Sequence, residues 1–109
     1  MRNNAYLIFG LSLLSFSSLA WDGRVSGKVG NIDVTSGSNY GFRVTLVNGP
    51  ALCGNDNKWA YLNDSDSNYQ TYVSVLLAAK MADKNVTVYT NRETSSGNGY
   101  CHIGYISIN

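Results

Sequence analysis

The segment of residues 67–91 constrains the fold most, because its hydrophobic periodicity changes once, from that of a helix to that of a strand. Apolar residues first recur at steps of three and four, the spacing of one helical face: Tyr69, Tyr72, Val73, Leu76 and Ala79. Residues 86–90 then alternate with period two, as a half-buried strand does. Ser67 and Gln70 have the spacing of a capping box, in which each side chain bonds a backbone N–H at a helix start. We therefore predict one helix, the only one expected after the N-terminal segment, that begins after Ser67, ends near residues 83–85 and leads directly into a strand.

The first 20 residues have the features of a secretory signal peptide. Arg2 gives a positively charged start, residues 5–14 form an apolar run, and Ser18 and Ala20 supply small residues before a cleavage site. The alternative is a membrane anchor, but the run is short for a hydrocarbon core about 30 Å thick. We expect cleavage near Ala20, a secreted or periplasmic product without a membrane span, and a single domain over residues 21–109.

Charge and motifs narrow the function classes. Loss of Arg2 with the signal peptide would leave seven basic and seven acidic residues, whereas nucleic-acid binders usually have a clear basic surplus. The sequence contains no G-x-S-x-G, H-E-x-x-H or Walker motif. We therefore expect neither a nucleic-acid partner nor an enzyme, and no cofactor or catalytic residue is predicted.

Two cysteines, Cys53 and Cys101, remain in the predicted mature chain. An even count in an exported protein favours a disulfide, which for a loop of this length is worth on the order of 4 kcal/mol. The alternative is a metal site with His102, the only histidine. Two cysteines without a C-x-x-C spacing do not make a zinc site, so we predict the disulfide and no metal.

Alternating residues and turn signals predict five strands, at residues 24–34, 40–46, 58–63, 86–90 and 100–108. In the first of them the phase slips at Gly30 and Asn31, which indicates a bulge or sharp bend. The resulting order, β-β-β-α-β-β, is the layout of the OB-fold, a five-stranded barrel. The predicted fold class is therefore mainly β with one α-helix and OB-fold-like. An open α+β sheet and a small β-sandwich are the alternatives.

A family resemblance follows from the order of several short motifs. Trp21-Asp22-Gly23 precedes Ser26-Gly27, and Trp59 precedes the predicted helix. The end of that helix, residues 78–81, is followed by the turn residues 83–85 and by the strand residues 86–89. Cys101 lies further along the chain. This order resembles the B subunits of subtilase-cytotoxin and typhoid-type toxins. The resemblance implies an exported OB-fold chain that forms a homopentameric ring, binds host cell-surface glycans and associates with a separate catalytic A subunit.

The resemblance also implies glycan-binding residues. In that family a serine at the start of the first strand binds sialylated glycans, and Ser26 occupies this position. A second family contact is a tyrosine at the end of the strand after the helix, where Tyr89 lies one residue early and Thr90 fills the matching place.

The residue types themselves are compatible with a sugar site, which needs an aromatic surface and neutral or acidic hydrogen-bonding groups. Residues of these types are Trp21, Tyr40, Tyr61, Tyr89, Tyr100 and Tyr105, with Ser26, Asn31, Asn39 and Asn91. The alternative is that most of the tyrosines pack on the barrel, and Trp59 is expected in a core or an interface.

The predicted helix has apolar residues on a second face as well, namely Val75, Leu77, Ala78, Met81 and Ala82. A helix that covers a monomeric domain usually has a wide polar face, so this pattern predicts a homo-oligomer. The main alternative function is an exported protein-binding or inhibitor module with no carbohydrate activity.

Overall fold

A computed structural model of the chain describes residues 21–109, and the predicted signal peptide, residues 1–20, lies outside the described residues. The predicted order of elements is confirmed. The described elements are β1 (Gly23–Val34), β2 (Phe42–Leu46), β3 (Ala60–Leu62), α1 (Tyr69–Met81), β4 (Asn85–Arg92) and β5 (Cys101–Ile108).

The five strands form one sheet that closes into a ring in the order β1-β2-β3-β5-β4. The first half of β1 pairs with β4 and its second half pairs with β2, both antiparallel. Strands β3 and β5 are parallel, and the remaining pairs are antiparallel. The register of β1 shifts between Val29 and Ile32, which confirms the bend predicted at Gly30 and Asn31. Closure pairs the two edges of the sheet with each other, so neither is left open to another chain.

A second irregularity lies between β4 and β5. Tyr89 pairs with Tyr105, but its neighbour Thr90 pairs with Ile103, so Gly104 is an extra residue in β5. Such a bulge changes the direction in which nearby side chains point. It allows both His102 and Tyr105 to lie on the outer side of the sheet.

Helix α1 packs through the face predicted from its periodicity. Leu76 and Ala79 are fully buried, and Tyr69, Tyr72 and Val73 pack against the core. The helix ends at Met81, and Asp83 has a φ of 56°, the left-handed conformation common just past a helix end. The chain therefore reverses over three residues and enters β4 directly, as predicted.

The predicted capping box is wrong. The N-cap residue is Asn68, with a φ of 61° and no side-chain hydrogen bond to the helix start. Two successive backbone turns precede it, in which the Asp66 amide bonds the Asn63 carbonyl and the Tyr69 amide bonds the Asp66 carbonyl. These turns place Ser67 outside the helix, so its hydroxyl does not take the capping position.

The second and third strands are shorter than predicted. Tyr40 has a φ of 51° and lies in the loop before β2, where its amide donates to Asn63 Oδ1. Strand pairing therefore begins only at Phe42. In the third strand, Lys58 and Trp59 lie before the paired segment.

The predicted disulfide between Cys53 and Cys101 is confirmed, and both residues are fully buried. It joins the loop before β3 to the first residue of β5. A structural disulfide of this kind is typical of an oxidising compartment. Among residues 21–109, no helix has both the length and the hydrophobicity needed to cross a bilayer.

Candidate functional site

The outer side of β4 and β5 presents three aromatic rings in mutual contact, which we call the aromatic platform: Trp21, Tyr89 and Tyr105. The Tyr89 and Tyr105 rings lie 4.8 Å apart between centroids, and Trp21 lies 5.8 Å from Tyr89 and 6.4 Å from Tyr105. Tyr105 is 54% exposed and Trp21 is 39% exposed. These rings therefore offer apolar area to a ligand, although they already stabilise one another.

The bulge in β5 creates the position of Trp21. A side chain at Gly104 would place its Cβ 2.5 Å from Cζ3 of Trp21, so the indole fits only because residue 104 is a glycine. Asp22, which follows Trp21, holds this part of the chain in place. Its amide donates to Asn91 Oδ1, and its carboxylate accepts hydrogen bonds from the amide and the guanidinium of Arg92. The hydrogen bonds from Arg92 lower the pKa of Asp22.

Arg24 borders the platform. Strand register places it directly opposite Tyr89, which is opposite Tyr105. Arg24 Nε donates to the Tyr89 hydroxyl at 3.2 Å, and this contact raises the pKa of the guanidinium. Within residues 21–109 no carboxylate forms an ion pair with Arg24. The guanidinium is therefore a positive charge available at the edge of the aromatic surface.

A line of three hydroxyls crosses the same strands two residues away, and we call it the hydroxyl row: Ser26, Thr87 and Ser107. The Ser26 and Thr87 hydroxyl oxygens are 2.7 Å apart and hydrogen-bond each other. Ser26 is exposed, whereas Thr87 is buried. Ser26 can thus meet a ligand while Thr87 fixes the orientation of its hydroxyl.

The three residues predicted from the resemblance do not lie together. Ser26 and Tyr89 share the outer face, but Thr90 is fully buried and its hydroxyl donates to the Leu52 carbonyl at 2.6 Å. Successive strand residues point to opposite faces, so Tyr89 and Thr90 could not both face a ligand. Thr90 is accordingly a core residue, and that alternation was the signal available in the sequence. Sequence reasoning missed Arg24 entirely, because nothing in the sequence pairs it with Tyr89.

The remaining predicted aromatic residues form a separate cluster outside β2, β3 and β5. Tyr61 points outward there but is only 3% exposed, because neighbouring rings cover it. Trp59 and Tyr100 lie 4.7 Å apart, and His102 stacks on Tyr61 at the same distance. Burial raises the pKa of Tyr61. These rings pack mainly against one another, so this cluster is a small second core rather than an open surface.

Two concave regions lie beside α1. A cavity of about 230 Å³ lies between α1 and β5 and includes Tyr105 in its wall. A wider depression of about 490 Å³ surrounds the first turn of α1 and contains Asp64 and Asp66. Residues 21–109 contain no group of three or more metal-ligating side chains.

Comparison of the chain with protein-family models, with curated proteins and with solved structures finds no match in any of the three.

Proposed function

We propose that this protein is an exported glycan-binding protein with an OB-fold, and that it resembles a toxin B subunit in function. The observation that supports this most directly is the aromatic platform, with Arg24 and the hydroxyl row next to it on the same face of the sheet. Sugars present a weakly apolar face and a ring of hydroxyls, and this surface offers partners for both.

The OB-fold assignment is supported by strand connectivity. A long bent first strand is shared between β2 and β4, α1 lies between β3 and β4, and β3 pairs in parallel with β5. These are the features of a five-stranded Greek-key barrel of this class.

Ser26 and Tyr89 are the proposed contacts that follow from the family resemblance. Trp21 and Tyr105 belong to the aromatic residues expected from residue type, and Arg24 is added by the geometry. The family resemblance implies sialylated glycans, whose carboxylate would be attracted to the Arg24 guanidinium. The Ser26 hydroxyl lies two strand positions from Arg24, on the same face. A sugar stacked on Tyr89 would therefore have a cation and a hydroxyl within reach.

A glycan array with the chain of residues 21–109 tests this proposal. We expect binding to a defined set of glycans, a strong loss with Trp21→Ala or Ser26→Ala, and no loss with Ser38→Ala, a serine in the exposed loop before β2. Comparison of Arg24→Gln on acidic and neutral glycans tests the role of the charge. Absence of binding to every glycan would refute the proposal.

The proposal includes a homopentameric ring that carries a catalytic A subunit. The outward face of α1 supports association, since Met81 is 88% exposed and Leu77 is 44% exposed. Ala78 and the C-cap residue Ala82 are exposed next to them. Sedimentation of residues 21–109 should give about five times the monomer mass, and Met81→Glu should give monomers. A monomer at high concentration would contradict the ring.

The same apolar face of α1 favours one alternative, an exported protein-binding or inhibitor module. In that case the chain would bind no glycan, and Met81→Glu would abolish partner binding while Trp21→Ala would not. Export itself is tested by N-terminal sequencing of the processed protein, which we expect to begin at Trp21.

A further inference from the structure

The cavity between α1 and β5 adjoins the aromatic platform. Its wall consists of Asn68, Thr71, Tyr72 and Val75 from the helix side and Tyr105 and Ile106 from β5. Its volume of about 230 Å³ is smaller than the roughly 300 Å³ at which pockets for drug-sized ligands begin. The cavity therefore has room for one ring-sized group rather than for a whole oligosaccharide. We call it the α1–β5 groove.

Tyr105 belongs to both surfaces. Its ring contacts Trp21 and Tyr89 in the platform, and it also forms part of the groove wall. Tyr72 lies across the groove, and its hydroxyl donates to the carbonyl of Gly104 at 2.9 Å. Gly104 also lies beneath the Trp21 indole. The same residue therefore accepts a hydrogen bond from the helix side of the groove and contacts a ring of the platform. The two surfaces are thus in a fixed relation to each other.

The groove combines apolar walls with unused polar groups. Tyr72, Val75 and Ile106 supply the apolar part. The Asn68 amide and the Thr71 hydroxyl make no hydrogen bond to another side chain or backbone group within residues 21–109. An apolar wall with a few convergent polar groups is the usual composition of a small-ligand site.

We propose that the α1–β5 groove binds the second sugar of a glycan whose first sugar stacks on the aromatic platform. The ligand class is therefore an oligosaccharide of at least two units, with Asn68 and Thr71 hydrogen-bonded to hydroxyls of the second unit. This inference rests on the proposed glycan-binding function, and it adds the length of the ligand and the direction in which it runs, from Trp21 toward the first turn of α1.

The test compares matched sugars of different length. Calorimetry measures the binding of residues 21–109 to the methyl glycoside of N-acetylneuraminic acid and to sialyllactose, and to methyl galactoside and lactose as a neutral pair. In at least one pair, the longer sugar should bind about tenfold more tightly, the gain expected from two ordinary hydrogen bonds.

Groove variants should remove this gain alone. Val75→Trp fills the groove and should reduce the affinity for the longer sugar to that for the shorter sugar. Asn68→Gly removes the amide but keeps a residue suited to the left-handed backbone, and Thr71→Ala removes the hydroxyl. Each should weaken only the longer sugar, by about three- to tenfold. Asn98→Trp, in the exposed loop between β4 and β5, is the control and should change neither affinity.

Three results would overturn the inference. The first is equal affinity of the wild-type chain for both sugars of each pair. The second is a length preference that survives Val75→Trp, Asn68→Gly and Thr71→Ala. In these two cases the platform still binds sugar, so the proposed function stands without the groove. The third is no binding of any of the four sugars by the wild-type chain, which refutes the proposed function for these probes and the groove with it.

Discussion

Gly104→Ala tests whether the lack of a side chain at residue 104, in the β5 bulge, makes the space that Trp21 occupies in the aromatic platform. The added Cβ would lie 2.5 Å from Cζ3 and 2.8 Å from Cη2 of Trp21, closer than carbon atoms approach without movement. The atoms in conflict are the far end of one side chain near the start of the described chain. We therefore expect the indole to move away while the strand pairing of β5 is preserved.

The magnitude follows from the contacts that the indole loses. Trp21 contacts Tyr89 and Tyr105, and aromatic pairs contribute about 0.5–1.5 kcal/mol each beyond their buried area. Because Trp21 is 39% exposed, the low end applies, and the loss for the two contacts together is about 1 kcal/mol. Replacement of glycine by alanine gives back about 0.4–1 kcal/mol by restricting the unfolded chain. The single variant should consequently change overall stability only slightly.

A double-mutant cycle separates the two effects. Thermal unfolding is measured for the wild type, Gly104→Ala, Trp21→Ala and the double variant, all as residues 21–109. In the Trp21→Ala background, Gly104→Ala should be neutral or stabilising. In the wild-type background, the effect of Gly104→Ala on the free energy of unfolding should be less favourable by about 1 kcal/mol than in the Trp21→Ala background. This corresponds to a difference of about 4–8 °C in Tm for a domain of this size.

Glycan binding gives the second measurement for the same variants. Gly104→Ala should weaken binding about as much as Trp21→Ala does, since both remove the indole from the platform. An identical effect of Gly104→Ala on stability in both backgrounds would refute this reasoning, because the cost would then come from the backbone and not from Trp21.

The remaining predictions concern stability. The double replacement Cys53→Ser and Cys101→Ser should lower the free energy of unfolding by about 4 kcal/mol, measured in urea, because the disulfide closes a loop of 48 residues. Thr90→Val should cost about 1–3 kcal/mol, since it leaves the buried Leu52 carbonyl without its hydroxyl donor, and it should leave glycan binding unchanged; retained stability would contradict the structural role of this hydroxyl. Hydrogen bonds from the side chain and amide of Ser96, from the Ser95 hydroxyl and from the Tyr100 amide lower the pKa of Glu93 to about 2 from an ordinary value of 4.5. A lowered folded-state pKa stabilises the protein above pH 4.5 and loses this effect as the pH falls toward 2, so the Tm advantage of the wild type over Glu93→Gln should shrink across that window. An advantage independent of pH would show that the ionised carboxylate of Glu93 does not act in this way.

The elements that sequence reasoning predicted correctly are those with a strong local period. The buried face of α1, the bend in β1 and the order of the strands all follow from residues close together in the chain. The capping box failed because a short motif competes with the turns around it. Asn68 takes the N-cap position in a left-handed conformation, and Ser67 is left outside the helix.

The candidate site was predictable only in part. Ser26 and Tyr89 were expected from the family resemblance, and strand alternation alone would have separated Tyr89 from the buried Thr90. Arg24 was missed because its contact with Tyr89 depends on the register between β1 and β4, strands 65 residues apart at this point.

The sequence by itself determined that the described chain forms a small mainly β domain with one helix and a disulfide. Local periodicity, turn residues and the cysteine count are enough for that, since each reflects a preference of neighbouring residues or of the redox compartment. The tertiary structure decided which side chains meet. Ring closure places the start of β1 beside β4, the bulge at Gly104 opens space for the Trp21 indole, and Tyr105 then faces both the platform and the α1–β5 groove. These contacts depend on strand register and on close packing between distant segments, and the spacing of residues along the chain encodes neither of them.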